Sequence, residues 1–414
     1  MPSENSVNLA NLHRKNLPHI ASALDVLEPL PVLKGLFRFE HKNQAYNLPI
    51  SHRYHQIQTI TTVSPAAFSS SNYFYDFNLP MNADLVDDLI LEYTLQNTGM
   101  TAWTASASAP WMFQRIEVRI DNEIKQTKRD IQLYLDNTVY LNDFDRQKNK
   151  PMIGLDTNTY QASATDLTIQ SGASKTFKLR LRTFLDTANI FLKGIRGQIV
   201  IRVYPQAIGV FGASGSAGNT IALQSSILLM RELELSQDGR NKMMMVHRSN
   251  VDYRYLDVVH EQTTLNMIAN ATTKYVTNNF HDTLYSHVVV LTRVANPTLA
   301  QLETFLQCLN MYFEDVSSMN LSNGIQWTDD DLRQVVYQSH FPNAMSQVVP
   351  IYVPLCATEN AEESYKKGVQ NGYEVLPRNA KLCINPSASG TNQVDILCYA
   401  YTHCRVESGK IHLF

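Results

Sequence analysis

Residues 175–182 read KTFKLRLR, in which Phe177, Leu179 and Leu181 alternate with Lys178, Arg180 and Arg182. A period of two puts apolar side chains on one face of an extended strand and cations on the other. The pattern recurs on both sides of this stretch. Leu89, Leu91, Tyr93 and Leu95 alternate with Ile90, Glu92 and Thr94. Ile116, Val118 and Ile120 alternate with Glu117 and Arg119 and run into the turn-prone pair Asp121-Asn122. Ile199, Ile201 and Val203 repeat it, and Arg231 to Ser236 is expected to do so with Glu232 and Glu234 outward. Many short strands separated by loops rich in Ser, Asn, Gly and Thr predict an all-β sandwich or barrel, not a βαβ fold.

The second half repeats this organisation. Residues 284–292 form a near-continuous apolar run, which predicts a strand covered on both faces. Pro297 followed by Leu299, Leu302, Phe305, Leu306 and Leu309 predicts a helix. A second helix is expected from Thr328, with Asp331 three residues on, to a stop before Pro342. Strands are expected at 347–355 and 373–384. The last strand runs from Val394, with Ile396, Cys398, Ala400 and Cys404 on one face and Asp395, Tyr399, His403 and Arg405 on the other. A helix-like insert spans about 128–139 in the first half, so each half combines strands with an embedded helix. That parallel suggests a structural duplication. Gln237 to Arg248, polar and containing Met243 to Met245, reads as the linker between the halves. Gly212 to Asn219, GASGSAGN, reads as a flexible surface loop.

The N-terminal segment differs from all of this. Leu17, Ile20, Leu24 and Leu27 recur at helical spacing, with Pro18 near the start and Pro29 and Pro31 ending the pattern. His13, Arg14 and Lys15 sit just upstream. The stripe is too short to span a bilayer and suits either lying on one or packing on the subunit's own base or a neighbour's. Its candidate contact residues are Arg14, Lys15, Leu17, Ile20, Leu24 and Leu27, the cations facing anionic headgroups if the surface is lipid.

Composition narrows the function classes. The chain has 414 residues, 44% of them apolar and only 18% charged, against roughly 25% charged in a typical soluble domain. With 20 tyrosines and 16 phenylalanines, this points to a surface largely covered by something other than water. Thirty-five Lys plus Arg against 38 Asp plus Glu give a net charge of −3, which argues against a dedicated nucleic-acid binder. The five cysteines all lie in the second half, and an odd count without Cys-x-x-Cys argues against a disulfide framework and a zinc ribbon. The sequence suggests no signal peptide, and no apolar run approaches the roughly 18 residues of a membrane span.

Motifs that carry chemistry are sparse. Gly212, Gly215 and Gly218 match neither phosphate-loop nor dinucleotide spacing. His260-Glu261 begins like a zinc-protease motif, but Thr264 stands where the second imidazole belongs, so an exposed pair on a strand is expected. Asp329, Asp330 and Asp331 could bind a divalent cation or serve a helix N-terminus, and the second reading is favoured. Cys398, His403 and Cys404 read as strand residues, the cysteines as buried free thiols. Asn270 and Asn320 head glycosylation triplets of no weight without secretion. Carboxylates are expected on outward strand positions and helix starts. No catalytic, cofactor-binding or metal-ligating residue is assigned.

Residues 379–411, NAKLCINPSASGTNQVDILCYAYTHCRVESGKI, resemble the closing strands of double jelly-roll major capsid proteins. The family is that of tailless icosahedral phages with an internal membrane, the tectivirus-like branch of the lineage that includes the adenovirus hexon. The shared pattern is a strand ending in Asn385-Pro386, a polar turn, a strand with Tyr399 and Tyr401, then Arg405-Val406 and Gly409-Lys410-Ile411. HQIQTITTVSPAAFSSSNYFYDFNLP at 55–80 and WMFQRIEVRIDNE at 111–123 resemble the opening of the first half. The resemblance implies two jelly-roll sandwiches in tandem with a few short helices. It divides the chain into an N-terminal helical arm at 1–49, a first jelly roll at 50–237 and a second at 238–414. It further implies a non-enzymatic capsid protein, made in the host cytoplasm and located in the virion. Homotrimers would form pseudo-hexagonal blocks that tile an icosahedral shell, in contact with vertex and minor capsid proteins and, through the arm, with an internal membrane. No sequence-specific nucleic-acid binding and no cofactor are implied. The rival reading is a secreted carbohydrate-active or glycan-binding β-sandwich, which a signal peptide and a cleft with paired carboxylates would distinguish.

Overall fold

The computed structural model describes residues 51–69, 72–105, 108–138, 151–154, 164–211, 221–248, 250–267, 274–277, 283–294, 306–313, 325–328, 351–354, 373–375, 380–386 and 390–413. The first half contributes β1 (Ser51–Gln58), β2 (Tyr75–Asn78), β3 (Leu85–Asn97), β4 (Trp103–Thr104), β5 (Phe113–Ile120), β6 (Glu123–Arg129), β7 (Thr168–Ile169), β8 (Ser174–Arg180), β9 (Ile199–Pro205) and β10 (Ile221–Glu234). They form two four-stranded sheets, β1-β10-β3-β8 and β2-β9-β5-β6, plus the small β4-β7 ribbon. The second half contributes β11 (Asn250–Met267), β12 (Lys274–Thr277), β13 (Thr283–Val294), β14 (Leu306–Phe313), β15 (Ile325–Thr328), β16 (Ile351–Pro354), β17 (Tyr373–Val375), β18 (Ala380–Pro386), β19 (Gly390–Glu407) and β20 (Lys410–Leu413). Its sheets are β11-β19-β13-β16, with β17 also on β13 and β20 on β19, and β12-β18-β14-β15.

Among the described residues, apart from β4, β7 and β20, and with β16 and β17 sharing one position, each half has eight strand positions in the same arrangement. One sheet takes the first, eighth, third and sixth strands, and the other takes the second, seventh, fourth and fifth. In both halves the first strand therefore pairs with the last, Ser51 opposite Glu234 and Asn250 opposite Glu407.

Alternation drives the packing. Leu89, Leu91, Tyr93 and Leu95 of β3 are buried, as are Phe177, Leu179 and Leu181 on and just after β8. Tyr93 and Phe177 lie opposite each other in register and stack at 5.5 Å, while Phe113 meets Tyr93 edge-on at 4.8 Å. Each such buried side chain contributes roughly 1.5–3 kcal/mol. The β5-β6 hairpin turns at Asp121 and Asn122, whose φ angles of 49° and 68° are the left-handed pair that a two-residue turn needs. Helix α1 (Asp130–Thr138) follows β6, and its Tyr134 stacks on Trp111 at 5.2 Å. Its Asn137 side chain donates to the Arg180 carbonyl and accepts from the Arg180 amide at 2.9 Å each, covering part of the free edge of β8.

Several expectations are corrected. Gln237–Arg248, read as the linker between the halves, is helix α2, with Met243 and His247 buried on its inner side. Leu306 and Leu309 lie on β14, not on a helix. Their three-residue spacing mimics a helical stripe, but pairing with β15 and β18 from distant parts of the chain makes the segment extended. Thr328 ends β15, and the helix expected after it lies outside the described residues. The strand expected at 373–384 is two strands, β17 and β18. Glu232 points inward, on the same line as Leu228 and Met230. Nor are carboxylates confined to outward positions, since Asp84, Asp88, Glu117, Asp136, Asp186 and Asp395 are all buried. Residues 1–50, the 212–219 loop, 297–305, Asp329 to Asp331, Pro342, Asn270 and Asn320 lie outside the described residues.

Candidate functional site

Asp84, just before β3, has no solvent exposure. Its carboxylate accepts from Arg240 Nε at 2.9 Å and Nη2 at 2.8 Å, from Lys193 Nζ at 2.8 Å and from the Leu235 amide at 2.9 Å. Burial opposes the charge, but the Arg240, Lys193 and Leu235 hydrogen bonds outweigh it and hold the carboxyl below its ordinary range. The Asp84 amide donates to Glu232 Oε1 at 2.5 Å, and the other oxygen of Glu232 pairs with His55 Nε2 at 2.5 Å. One buried network thus ties β1, the start of β3, the turn at Leu192–Gly194, the end of β10 and α2 together. It explains why Glu232 is inward: its partners are there.

Helix α2 leads directly into the seam between the two sandwiches. His247 Nδ1 faces the Met243 carbonyl at 2.9 Å, which can only accept, so Nδ1 carries the proton and Nε2 accepts from Tyr253 Oη at 2.8 Å. Burial holds this imidazole down to about 4. Phe191 packs on the ring at 5.1 Å. At Gly194 a Cβ would stand 2.4 Å from His247 Cδ2, so only glycine fits there. Nearby, the Arg196 amide donates to the Gly409 carbonyl at 2.7 Å, linking the first half to the β19-β20 turn.

A second seam contact lies at the one-turn helix Phe184–Thr187. Gln126 of β6 accepts from the Phe184 amide at 2.9 Å and donates to Asp257 Oδ1 of β11 at 3.1 Å. Phe184 packs against Tyr255 of β11 at 5.8 Å. Asp186 accepts from Thr183 Oγ1 at 2.7 Å, and burial followed by the nearby Asp88 charge pushes its carboxyl up to about 7. Burial also raises Asp88 and Asp257 above the ordinary range. Lys128 is paired with Asp136 at 2.5 Å, both largely buried, while Arg180 and Arg231 stand 3.8 and 3.9 Å from Asp88.

The outward face of the β2-β9-β5-β6 sheet carries arginines laid on aromatic rings. Arg202 holds Asp76 through two bonds of 2.8 Å and lies over Phe74 at 3.9 Å. Arg115 lies over Tyr204 at 3.7 Å and reaches Glu117 at 2.9 Å. β1 is an edge strand whose Tyr54 is 67% exposed.

The sequence-derived candidates fare unevenly. Arg14, Lys15, Leu17, Ile20, Leu24 and Leu27 lie outside the described residues. His260 is not exposed. Its Nε2 pairs with the fully buried Asp395 at 2.8 Å, because β11 lies beside β19 and brings the two onto one face. Cys398 and Cys404 are buried, and burial, as the main cause, raises the Cys404 thiol to about 12. Among the described residues, no group of three or more His, Cys, Asp and Glu could hold a metal ion. Among the same residues, no helix is long and apolar enough to cross a membrane. The Asp84 network and the Phe184–Thr187 contact escaped sequence reasoning, since their members are far apart in the chain.

No protein-family model matches the chain, and no curated protein sequence does. Solved structures do. The PBCV-1 virus capsid protein superposes with a TM-score of 0.65 at 14% identity, over 88% of this chain and 96% of its own. The Faustovirus major capsid protein gives 0.55 at 8% identity, over 95% and 99%. The major capsid protein of STIV, the Sulfolobus turreted icosahedral virus, gives 0.52 at 9% identity, over 85% and 96%. The chain is a double jelly roll. Each half has two sheets built on the same four strand positions, as in that sandwich, the larger sheet of the second half being extended to six strands by β17 and β20, and the likeness runs through nearly the whole length of the capsid proteins compared. At these identities the likeness is one of fold.

Proposed function

We propose that this double jelly roll is a major capsid protein that works by self-assembly, without catalysis, as a component of the virion. The observation that carries the reading is the match of two tandem jelly rolls, end to end, to proteins whose role is shell-building. Three copies, each with two similar sandwiches, would give six upright sandwiches and a pseudo-hexagonal block. In this reading the arm covers 1–49 and the jelly rolls 50–237 and 238–414. The shell is that of an icosahedral phage enclosing an internal membrane, as the closing-strand resemblance implies, and the chain is made in the host cytoplasm. Vertex and minor capsid proteins would be its further partners.

Sparse charge and abundant tyrosine suit the large lateral interfaces such a block needs. Obligate interfaces usually bury more than about 2,000 Å², and uncharged polar groups cross them without the desolvation cost of buried ions. Size-exclusion chromatography with light scattering on purified protein tests the reading. A particle of three times the 46.9 kDa chain mass is expected. A folded, monodisperse monomer at micromolar concentration would overturn it.

A further inference from the structure

The contact between the two sandwiches joins unlike ends. In the first sandwich β8 and β6 are the last strands of their sheets and lie at one end, tied by Asn137 to Arg180 and by Gln126 to the Phe184 amide. That end meets β11, the edge strand at the opposite, first-strand end of the second sandwich. There Phe184 packs on Tyr255 at 5.8 Å and Gln126 reaches Asp257 at 3.1 Å, and Tyr253 and Tyr255 of β11 are buried. A joint between unlike ends leaves one end of each kind over: the first-strand end of the first sandwich, and the end of the second where β15, β16 and β17 border their sheets.

The first-strand end of the first sandwich is built by β1 and β2, which meet at the Thr59–Phe77 bridge and where the Ile60 amide donates to the Asp76 carbonyl at 2.9 Å. β1 holds the place in its sheet that β11 holds in the other, yet its end of the sandwich is bare. Tyr54 is 67% exposed, Ile60 51% and Phe74, just before β2, 43%. Nothing blunts the edge. SHRYHQIQ at 51–58 contains neither lysine nor proline, and its pairing with β10 runs without a register shift.

We propose that the β1–β2 end docks a second copy of this chain, through the β15 and β16–β17 edges of that copy's second sandwich. The proposal rests on the trimeric reading above and adds which ends meet. The joint inside the chain is its pattern, a last-strand end laid against a first-strand edge. Each copy offers one free end of each kind, so the joint is heterologous and passes from copy to copy, and three such joints close a ring of six sandwiches. Tyr54, Ile60 and Phe74 then take at the joint between copies the covered position that Tyr253 and Tyr255 have within one.

Light scattering after size exclusion, on the full-length protein at micromolar concentration, tests this. Wild type is expected at three times 46.9 kDa, and Tyr54→Asp with Ile60→Asp at 46.9 kDa with an unchanged circular dichroism spectrum. Met100→Asp, at a 98% exposed position between β3 and β4, should keep the wild-type mass. If the double variant does not fold, Tyr54→Ala takes its place, and its trimers should dissociate at a concentration at least roughly tenfold higher than wild type. A trimeric wild type whose β1 variants are equally trimeric would overturn the proposal and leave the capsid reading standing. Dissociation by Met100→Asp as well would overturn it too, since the effect would not belong to the β1–β2 end. A monomeric wild type would remove both.

Discussion

Arg240 grips Asp84 through both Nε, at 2.9 Å, and Nη2, at 2.8 Å, and the aspartate it holds is wholly shielded from solvent. A bidentate guanidinium fixes direction as well as distance. The helix that leads into the second sandwich is therefore set at a defined angle to the first.

Arg240→Met leaves Asp84 buried with Lys193 as its remaining cation. The expected loss is about 3 kcal/mol, the low end for breaking a buried pair, because Lys193 still compensates. It is read as a lower midpoint in urea with an unchanged slope. A change below about 0.5 kcal/mol would show that the network is not tied to stability.

Lys128 and Asp136 give a double-mutant comparison. Lys128→Met alone strands a buried carboxylate and is expected to cost about 3 kcal/mol. Adding Asp136→Leu should recover most of that, since an apolar pair of similar volume needs no desolvation. Thermal unfolding of the four proteins checks it. Additive losses would mean that the pair is not coupled.

His247 makes the seam acid-sensitive. Its folded value, near 4, is depressed below the ordinary 6.5, so its contribution to stability is complete above pH 6.5 and is lost as pH falls through about 4. The loss is on the order of 3 kcal/mol across that window. His247→Gln should flatten the fall in melting temperature between pH 6.5 and pH 4. An equally steep fall in the variant would assign it to other groups.

Two glycines make opposite predictions. Gly194→Ala forces a methyl to 2.4 Å from His247 and should cost about 1–3 kcal/mol while loosening the seam. Gly209, in the short helix Ile208–Phe211, has no atom within 4 Å of a built Cβ, so Gly209→Ala should be neutral or stabilising by up to about 1 kcal/mol. Melting temperatures of the two variants should move apart. Equal shifts would reject the close-approach argument.

Deletion of residues 1–32 is expected to leave the oligomer folded and to impair particle assembly or membrane association. Flotation with anionic vesicles separates the two roles of the Leu17, Ile20, Leu24 and Leu27 stripe. Equal, poor flotation of full-length and shortened protein, with assembly still lost, would make the arm a protein clamp and not a membrane anchor.

Strands with one apolar face were legible because alternation is a local signal: Phe177, Leu179 and Leu181 need no partner to declare their face. The turn at Asp121-Asn122 was legible for the same reason. What the sequence concealed depends on distant pairing. Glu232 sits on the inward line of β10 yet looks like an outward strand residue until Asp84 and His55 are brought beside it. Leu306 and Leu309 share their spacing with a helical stripe, and only β15 and β18 decide for a strand. His260 and Asp395 are far apart in the chain and meet solely because β11 runs beside β19.

The pairing of first strand with last has a consequence for synthesis. β10 lies between β1 and β3, and β19 between β11 and β13, so each of these sheets lacks an inner strand until its final segment leaves the ribosome. The first sandwich has to wait for Glu234 before Ser51 has its partner, and the second has to wait for Glu407 before Asn250 does. A chain released early, before residue 390, would keep β11 and β13 as open, sticky edges with nothing to join them. Such a chain exposes the kind of surface that chaperones and proteases act on. The fold thereby inspects its own translation, admitting only chains that have been read through to their closing strands.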